Sequence, residues 1–291
     1  MSYRVGRDRR DRREAPVERP SRGFRVVAWL AIVCLRLARW RIRARGVRNV
    51  PARGGAVVTW NHTSHVDFVV TAHELYRRLG RPVRVLARAD LWDSWRTRWI
   101  VRFADAVPVT RSDPGSRASS YAAAVEVLQQ GGLVLVAPEG GISTTFEVQR
   151  MRTGAARMAQ QAGVPIVPSA SWGSHRLVTT GYPLSPRRAW GIPVELAFAP
   201  PFHVGPDEDP LAATGRLQRT TTELLHLLQR SYPDGAPAGA WWVPARLGGG
   251  APAEAAASAE PATATAPPRP LRSFEHPAGA PPGGRTTSER R

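Results

Sequence analysis

Residues 55–80 read GAVVTWNHTSHVDFVVTAHELYRRLG. The first six residues form an apolar run, which is typical of a buried β-strand. Residues 64–79 carry apolar side chains at helical spacing and predict an amphipathic helix. The short stretch that joins the two contains His62, His65 and Asp67. Polar side chains with acid–base chemistry are therefore expected where a strand ends and a helix begins.

The alternation of strand and helix continues along the chain. The alternating stretch WRIRARGV predicts a strand at 40–47, and further apolar runs predict strands at 82–87, 106–109, 133–137, 164–170 and 193–200. Further amphipathic stretches predict helices at 90–103, 116–132, 152–163 and 207–230. This order favours an α/β fold with a mainly parallel β-sheet flanked by helices. In such sheets ligands bind beyond the carboxyl ends of the strands.

Composition limits what the protein can be. The 291-residue chain has a formal net charge of +18, and all 41 of its basic residues are arginines. Such a surface attracts phosphates, whether of nucleic acid or of anionic lipid. The apolar fraction of 42% is sufficient for a packed core. The single cysteine, Cys34, excludes an intrachain disulfide, and no metal site is predicted.

The two termini differ in composition from the rest of the chain. Residues 1–22 are highly charged, and residues 248–291 are rich in alanine, proline and glycine, so both are predicted to be disordered. One domain is predicted between them, at residues 23–247. Within it, the ten-residue run VVAWLAIVCL is followed by five arginines and no acid between residues 36 and 45. This run is shorter than a membrane span, which needs ~20 residues.

A short apolar helix bordered by arginines is typical of a segment that lies in a membrane interface. Residues 23–40 are therefore predicted to be a membrane-associating helix. The alternative is an ordinary core helix with a solvated basic end.

Three predicted strand ends carry polar residues, and we expect the three turns to meet at one edge of the sheet. They are Asn61–Asp67, Thr110–Arg111 and Pro138–Ser143. Glu139, Gly140 and Gly141 place a carboxylate and a flexible backbone at the third of these ends. Arg111 supplies a guanidinium suited to a phosphate, although it also fits an ordinary surface arginine.

The first turn has two interpretations. Ser64 and Asp67 have the spacing of a capping box, in which Asp67 would only cap a helix that starts at Ser64. Alternatively, Asp67 accepts the Nδ1 proton of His62 and leaves Nε2 free to act as a general base. No G-x-S-x-G nucleophile motif is present, so this base would activate a hydroxyl group of a substrate. His65 is interpreted as a solvated residue of the helix.

Together these stretches resemble the sequence blocks of the 1-acyl-sn-glycerol-3-phosphate acyltransferases and related glycerolipid acyltransferases. NHTSHVD is similar to the family's N-H-x-S-x-x-D block, and AVPVTR to the second block, which ends in arginine. APEGGIS is similar to the third block, usually P-E-G-T-R-S, and GVPIVPSASWG to the fourth. The blocks occur in order between about residues 40 and 205. The basic, alanine-rich character is most similar to actinobacterial members.

The resemblance implies an O-acyltransferase of glycerolipid-acyltransferase fold. It would move a fatty acyl group from acyl-CoA or acyl carrier protein, as co-substrate and without a cofactor, to a lysophospholipid acceptor. The catalytic residues would be His62 and Asp67, and the substrate-binding residues would be Asn61, Ser64, Arg111, Glu139, Gly140 and Gly141. The protein would be peripheral or monotopic at the cytoplasmic face of the cell membrane, on an anionic surface. Nothing in the sequence predicts its oligomeric state.

One departure from the family pattern affects the acceptor. Gly141 and Ile142 stand where the third block usually has threonine and arginine, and that block is implicated in holding the acceptor's phosphate. Arg111 keeps one phosphate partner, and either Arg150 or Arg152 would have to supply the other. A different lysolipid or glycolipid acceptor, or an inactive relative, is therefore an open alternative. A nucleic-acid-binding role is not favoured, because no known binding motif accompanies the positive charge.

Overall fold

The computed structural model describes residues 20–95, 98–103, 106–109, 114–185, 188 and 190–253. Seven strands in this part of the chain form one sheet; they are β1 (Arg41–Arg45), β2 (Ala56–Thr59), β3 (Val83–Arg88), β4 (Val107–Val109), β5 (Leu133–Val136), β6 (Ile166–Trp172) and β7 (Pro193–Phe198). The described helices are α1 (Arg22–Leu37), α2 (Asp67–Leu79), α3 (Arg98–Phe103), α4 (Pro114–Gln129), α5 (Gly154–Ala162) and α6 (Pro210–Arg230). The predicted α/β class is confirmed.

The sheet has the strand order β1-β7-β6-β2-β5-β3-β4, and only the β6–β7 pair is antiparallel. Strand β2 therefore lies in the centre, between β5 and β6, and runs parallel to both. Because parallel strands end at the same edge, the turns after β2 and β5 are direct neighbours. The described part of β4 lies at the end of the sheet, separated from β5 by β3.

Apolar side chains of the strands alternate between two layers of core. Ala56 and Val58 of β2 pack on the side of α2, where Val70 and Leu75 are buried. Val57 faces the opposite layer, which consists of residues from α4, α5 and α6. The helix α1 lies outside α2 and contacts it through Phe24, whose ring meets that of Tyr76 edge-on at 5.3 Å.

Two predicted helices differ from the structure. Residues 90–103 do not form one helix: a 3-10 turn, Ala89–Trp92, precedes the short α3. Within this region Asp93 N–H bonds to Asp90 O at 3.2 Å, so polar residues close a local turn in place of helical bonds. Helix α2 begins at Asp67 instead of Ser64, because the Ser64 hydroxyl accepts a hydrogen bond from Val66 N–H and donates one to Val178 O.

The terminal segments lie largely outside the described residues. The predicted arm is described only from residue 20, and the predicted tail only as far as residue 253. Within that part, residues 248–251 still pack on the domain: Gly250 N–H bonds to Ala240 O at 2.8 Å, and the Ala251 side chain is buried. The packed region thus continues beyond residue 247, where composition places the domain boundary.

Candidate active site

His62 and Asp67 lie together at the carboxyl end of β2. His62 Nδ1 is 3.5 Å from Asp67 Oδ2. The Asp67 side chain is fully buried, whereas that of His62 is 22% exposed. Because Nδ1 itself is buried, the accessible part of the imidazole is on the side away from Asp67. The edge of the Trp60 ring packs against the imidazole at a centroid distance of 5.9 Å and limits its rotation. This arrangement leaves Nε2 available to a substrate.

Asp67 is held by four hydrogen-bond donors of the protein. Its Oδ2 accepts from the backbone N–H groups of Thr63 at 2.8 Å and Ser64 at 2.6 Å. Its Oδ1 accepts from the hydroxyls of Ser171 at 3.2 Å and Ser174. A buried carboxylate requires such donors, because burial removes its hydration. The orientation of the Asp67 carboxylate is therefore fixed independently of His62.

The turns after β2 and β5 are joined by the backbone of His62. Glu139 Oε1 accepts a hydrogen bond from His62 N–H at 3.1 Å, and Ser143 N–H donates to His62 O at 2.7 Å. The second oxygen of Glu139 accepts from Gln149 N–H at 3.2 Å. Burial, with a smaller contribution from the charge of Asp67, raises the pKa of Glu139 to about 8, although its two backbone donors act in the opposite direction. Glu139 positions the backbone of His62.

Asn61 and Ser64 also bond within the protein. The Asn61 side chain donates to Ser171 O at 3.2 Å and accepts from Ser171 N–H at 2.7 Å, which ties the end of β2 to β6. The predicted contacts of Asn61, Ser64 and Glu139 with a substrate stay predictions. His65 is exposed in the turn before α2, and partial burial, followed by the charge of His62, lowers its pKa.

A guanidinium group lies against the glycine turn after β5. Gly140 has a φ of +77°, and a Cβ atom placed on it would be 3.1 Å from Nε of Arg152 and 3.3 Å from Cζ. Glycine is thus required here both for the backbone conformation and for the close approach of Arg152. Arg152 is exposed, and its side chain has no partner among the described residues. Gly141 is also exposed and contacts no side chain at its Cβ position.

The second candidate, Arg150, lies elsewhere. Arg150 is exposed and lines a separate cavity of about 550 Å³ together with Glu147, His226 and Arg246. Arg111, predicted to bind a phosphate, lies outside the described residues, as does Thr110. The structure therefore brings together two of the three predicted turns, those that follow β2 and β5.

Part of the chain is similar to known acyltransferases. The family model described as Acyltransferase matches residues 41–172, the segment that contains β1 to β6 together with His62, Asp67 and Glu139. The matched segment ends at Trp172, at the end of the strand that carries Ser171, so Ser174 lies just beyond it.

Curated proteins are similar to part of the chain. A probable 1-acyl-sn-glycerol-3-phosphate acyltransferase of Mycoplasma pneumoniae is 30% identical over 127 residues, which is 43% of this chain and 47% of that protein. The chloroplast 1-acyl-sn-glycerol-3-phosphate acyltransferase LPAT1 of Arabidopsis thaliana is 26% identical over 143 residues, which is 49% of this chain and 39% of that protein. The chain thus spans less than half the length of these relatives.

A solved structure shows the same fold. The crystal structure of the 1-acyl-sn-glycerophosphate (LPA) acyltransferase PlsC from Thermotoga maritima superposes with a TM-score of 0.58 at 19% sequence identity. The match covers 72% of this chain and 80% of the Thermotoga chain. Among the described residues of the chain, no helix has the length and apolarity needed to cross a bilayer.

Sequence reasoning missed the serines that hold Asp67. Ser171 and Ser174 occur in SASWGS, at and just beyond the end of a strand that is buried along its whole length. Hydroxyls in a buried strand need partners, and this signal could have identified them. It also missed His175, which is fully buried and whose Nε2 lies 3.0 Å from Trp242 O. Burial lowers the pKa of His175 to about 4, so this ring is neutral and donates from Nε2.

Proposed function

We propose that this protein transfers a fatty acyl group from acyl-CoA or acyl carrier protein to the free hydroxyl of 1-acyl-sn-glycerol-3-phosphate, and so forms phosphatidic acid for phospholipid synthesis. The observation that carries the proposal is the approach of His62 Nδ1 to within 3.5 Å of the buried Asp67 carboxylate. Catalytic hydrogen bonds are often this long in a ligand-free site and shorten when the substrate binds.

The mechanism follows from the orientation of the imidazole. Asp67 stabilises the tautomer of His62 that has its proton on Nδ1. His62 Nε2 then accepts the proton of the acceptor hydroxyl while its oxygen attacks the carbonyl carbon of the thioester. The tetrahedral intermediate collapses with cleavage of the carbon–sulfur bond, and the imidazolium returns the proton to the departing thiolate. Glu139 keeps the His62 backbone in place through the 3.1 Å hydrogen bond.

The phosphate of the acceptor needs a cationic partner, and Arg152 is the described residue best placed to supply it. Its guanidinium lies over Gly140, next to Glu139, which bonds to the backbone of His62. A planar guanidinium binds phosphate oxygens in pairs. We infer that Arg152 replaces the arginine that Ile142 displaces from the third block, and that Arg111 is the second phosphate partner.

The substrates also suggest where the protein works. The outward face of α1 is apolar, with Val26, Trp29 and Leu37 exposed, and Arg36 lies at its end. A helix of this type is stabilised by insertion at the level of the lipid headgroups. We propose a peripheral or monotopic location on the anionic cytoplasmic face of the membrane, where both the lysolipid and the thioester donor are accessible.

The first test is acyl transfer from labelled acyl-CoA to lysophosphatidate by the purified chain and its His62→Ala variant. We expect His62→Ala to lower kcat by roughly 10²–10⁴-fold, the usual contribution of a general base. His65→Ala is the matched control, because His65 is exposed in the same turn and should retain activity. Equal activity of His62→Ala and the unmodified chain would refute the mechanism.

A second acceptor is favoured by one observation, the replacement of arginine by Ile142. Arg152→Ala separates the possibilities. If Arg152 binds the phosphate, this variant raises KM for lysophosphatidate by about tenfold or more and leaves kcat nearly unchanged. Arg150→Ala, an equally exposed arginine two positions away, should leave KM unchanged. Unaltered KM in Arg152→Ala, or turnover only of acceptors without a phosphate, would favour another lysolipid or glycolipid.

A further inference from the structure

The segment between β6 and β7 exposes two large apolar side chains, and one of them, Trp190, lies beside the end of α1. Leu184 is 64% exposed and Trp190 is 62% exposed, although residues of this size are normally buried. At the end of α1, Leu37 is 68% exposed. These side chains, together with the outward stripe of α1, are called the docking surface below; its members are Val26, Trp29, Leu30, Leu37, Leu184 and Trp190.

Hydrogen bonds join the two parts of the docking surface. Gly191 N–H donates to Ala38 O at 2.9 Å, directly beyond the end of α1. Arg41 Nε donates to Gly191 O at 3.2 Å, and the guanidinium of Arg39 lies 5.8 Å from the centre of the Trp190 ring. Trp190 is therefore fixed next to the last turn of α1 and moves with it.

The end of α1 contains a strained residue. Trp40 N–H bonds to Leu35 O at 3.1 Å and Arg39 N–H bonds to Arg36 O at 2.9 Å, which is the Schellman pattern that ends many helices. The position after the cap in this motif usually holds glycine, because its φ is positive. Here Arg39 occupies it with a φ of 54°. A side chain in this region costs ~1 kcal/mol, and such strain points to a function for the side chain that causes it.

We propose that the side chains of Leu184 and Trp190 insert into the lipid bilayer together with α1, and that Arg39 binds a lipid phosphate beside Trp190. The inference rests on the proposed membrane function and adds a second docking element to it. Tryptophan favours the level of the headgroups, where its ring is apolar and its N–H remains hydrated. The guanidinium of Arg39 lies close enough to Trp190 to reach the same level.

Charge identifies the occupant as an anionic bilayer. No aspartate or glutamate occurs between Glu18 and Asp67, whereas arginines follow α1 at positions 39, 41, 43 and 45. Arg41 lies 3.6 Å from Asp234, and Arg43 and Arg45 lie 4.0 Å and 3.7 Å from Glu195. Within the described residues, Arg39 is the member of this set without an acidic partner. Each basic residue near an anionic membrane contributes ~1 kcal/mol to binding. Apolar side chains that enter the bilayer beside such arginines add the hydrophobic part of the affinity.

The test is sedimentation of the full chain with vesicles of phosphatidylcholine, alone or mixed with phosphatidylglycerol. We expect Trp190→Ala to weaken binding to the mixed vesicles by roughly tenfold, and Leu184→Ala by a similar factor. Leu211→Ala is the matched control, because Leu211 is 61% exposed but belongs to α6, on the other side of the sheet. Acyl transfer measured in detergent should be unchanged in all three variants.

Trp29→Ala separates failure of this inference from failure of the proposed location. If Trp29→Ala weakens vesicle binding and Trp190→Ala does not, α1 docks alone and the second element is refuted. If neither substitution has an effect, membrane docking through this surface is itself wrong.

Substitution of Arg39 should change the melting temperature and the vesicle affinity in opposite directions. Arg39→Gly should raise the melting temperature, because glycine adopts a positive φ without strain. The same variant should bind mixed vesicles roughly fivefold more weakly and pure phosphatidylcholine vesicles unchanged. Arg39→Lys keeps both charge and strain and should bind almost as the unmodified chain does. Undiminished binding by Arg39→Gly would remove the lipid phosphate from the proposal.

Discussion

The Asp67 carboxylate accepts four hydrogen bonds from groups other than His62. Two backbone N–H groups and two serine hydroxyls hold its oxygens while the side chain is fully buried. Each hydrogen bond to a charged group contributes about 1.5–3 kcal/mol. Because both oxygens are already bound, the carboxylate cannot rotate away when His62 changes its protonation state, and the same geometry is available at each turnover.

Glu139 makes the stability of the domain depend on pH. Its pKa is about 8 in the folded protein and near the ordinary value of 4.5 when unfolded. Between these values the folded state keeps a proton that the unfolded state has released. The stabilisation from Glu139 is therefore fully present below about pH 4.5 and is lost as pH rises through about 8.

Glu139→Gln removes this titration and so tests it. From about pH 5 to about pH 8, the free energy of unfolding of the unmodified chain should fall relative to that of the variant by a few kcal/mol, ~3–5 at most. Urea unfolding at several pH values measures the difference. Parallel pH profiles of the two proteins would show that the Glu139 carboxylate is ionised in the fold.

Among the elements, α1 departs most from ordinary helix design. Its residues Val26, Trp29, Leu30 and Leu37 recur at helical spacing on the outward side, whereas Phe24 packs inward on α2. A helix of a water-soluble domain has the reverse arrangement. At 16 residues it is ~24 Å long, shorter than the ~30 Å hydrocarbon core. Length and pattern together favour a helix that lies along the membrane.

The sequence alone predicted the elements that have a strong hydrophobic period. It also predicted that His62 and Asp67 lie together. All seven described strands occur where the sequence predicts them. The central strands β2, β5 and β6 follow apolar runs, because a strand buried on both faces needs continuous apolar residues. The edge strand β1 instead follows an alternating pattern. The start of α2 was predicted three residues early, since Ser64 bonds to Val178, which is distant in sequence. The sequence also could not show whether Arg150 or Arg152 lies near the glycine turn, because that position depends on contacts between residues distant in sequence. The structure places Arg152 against Gly140.

Across the domain, residues near the end of the described chain contact the segment that follows β6. Trp242 O accepts from His175, the residue next to Ser174, and the Trp241 ring stacks on Tyr182 at 4.0 Å. Both tryptophans pack on the domain. Beyond them, a Cβ on Gly249 would be 1.9 Å from Val243 O, so this turn is closely packed.

Two truncations test where the domain ends. A chain that stops after Ala253 keeps every described contact and should retain its melting temperature and activity. A chain that stops after Leu247 loses the bond from Ala251 N–H to Val243 O, 3.1 Å long, and the burial of Ala251. We expect it to lose about 2 kcal/mol, which lowers the melting temperature by roughly 5 °C. Gly249→Ala should reproduce the loss in the full chain, and identical melting curves would place the boundary at residue 247.

The connection between β6 and β7 has one end at the Asp67 carboxylate and the other at the proposed lipid surface. Ser174 bonds to Asp67 near its start, and Trp190 adjoins α1 near its end. Under the proposed function, selection for a different membrane composition would act on the same short stretch that positions the proposed catalytic pair. Adaptation to a new lipid environment and retention of turnover are therefore linked in this protein, and a variant altered at one end has to be assayed for both.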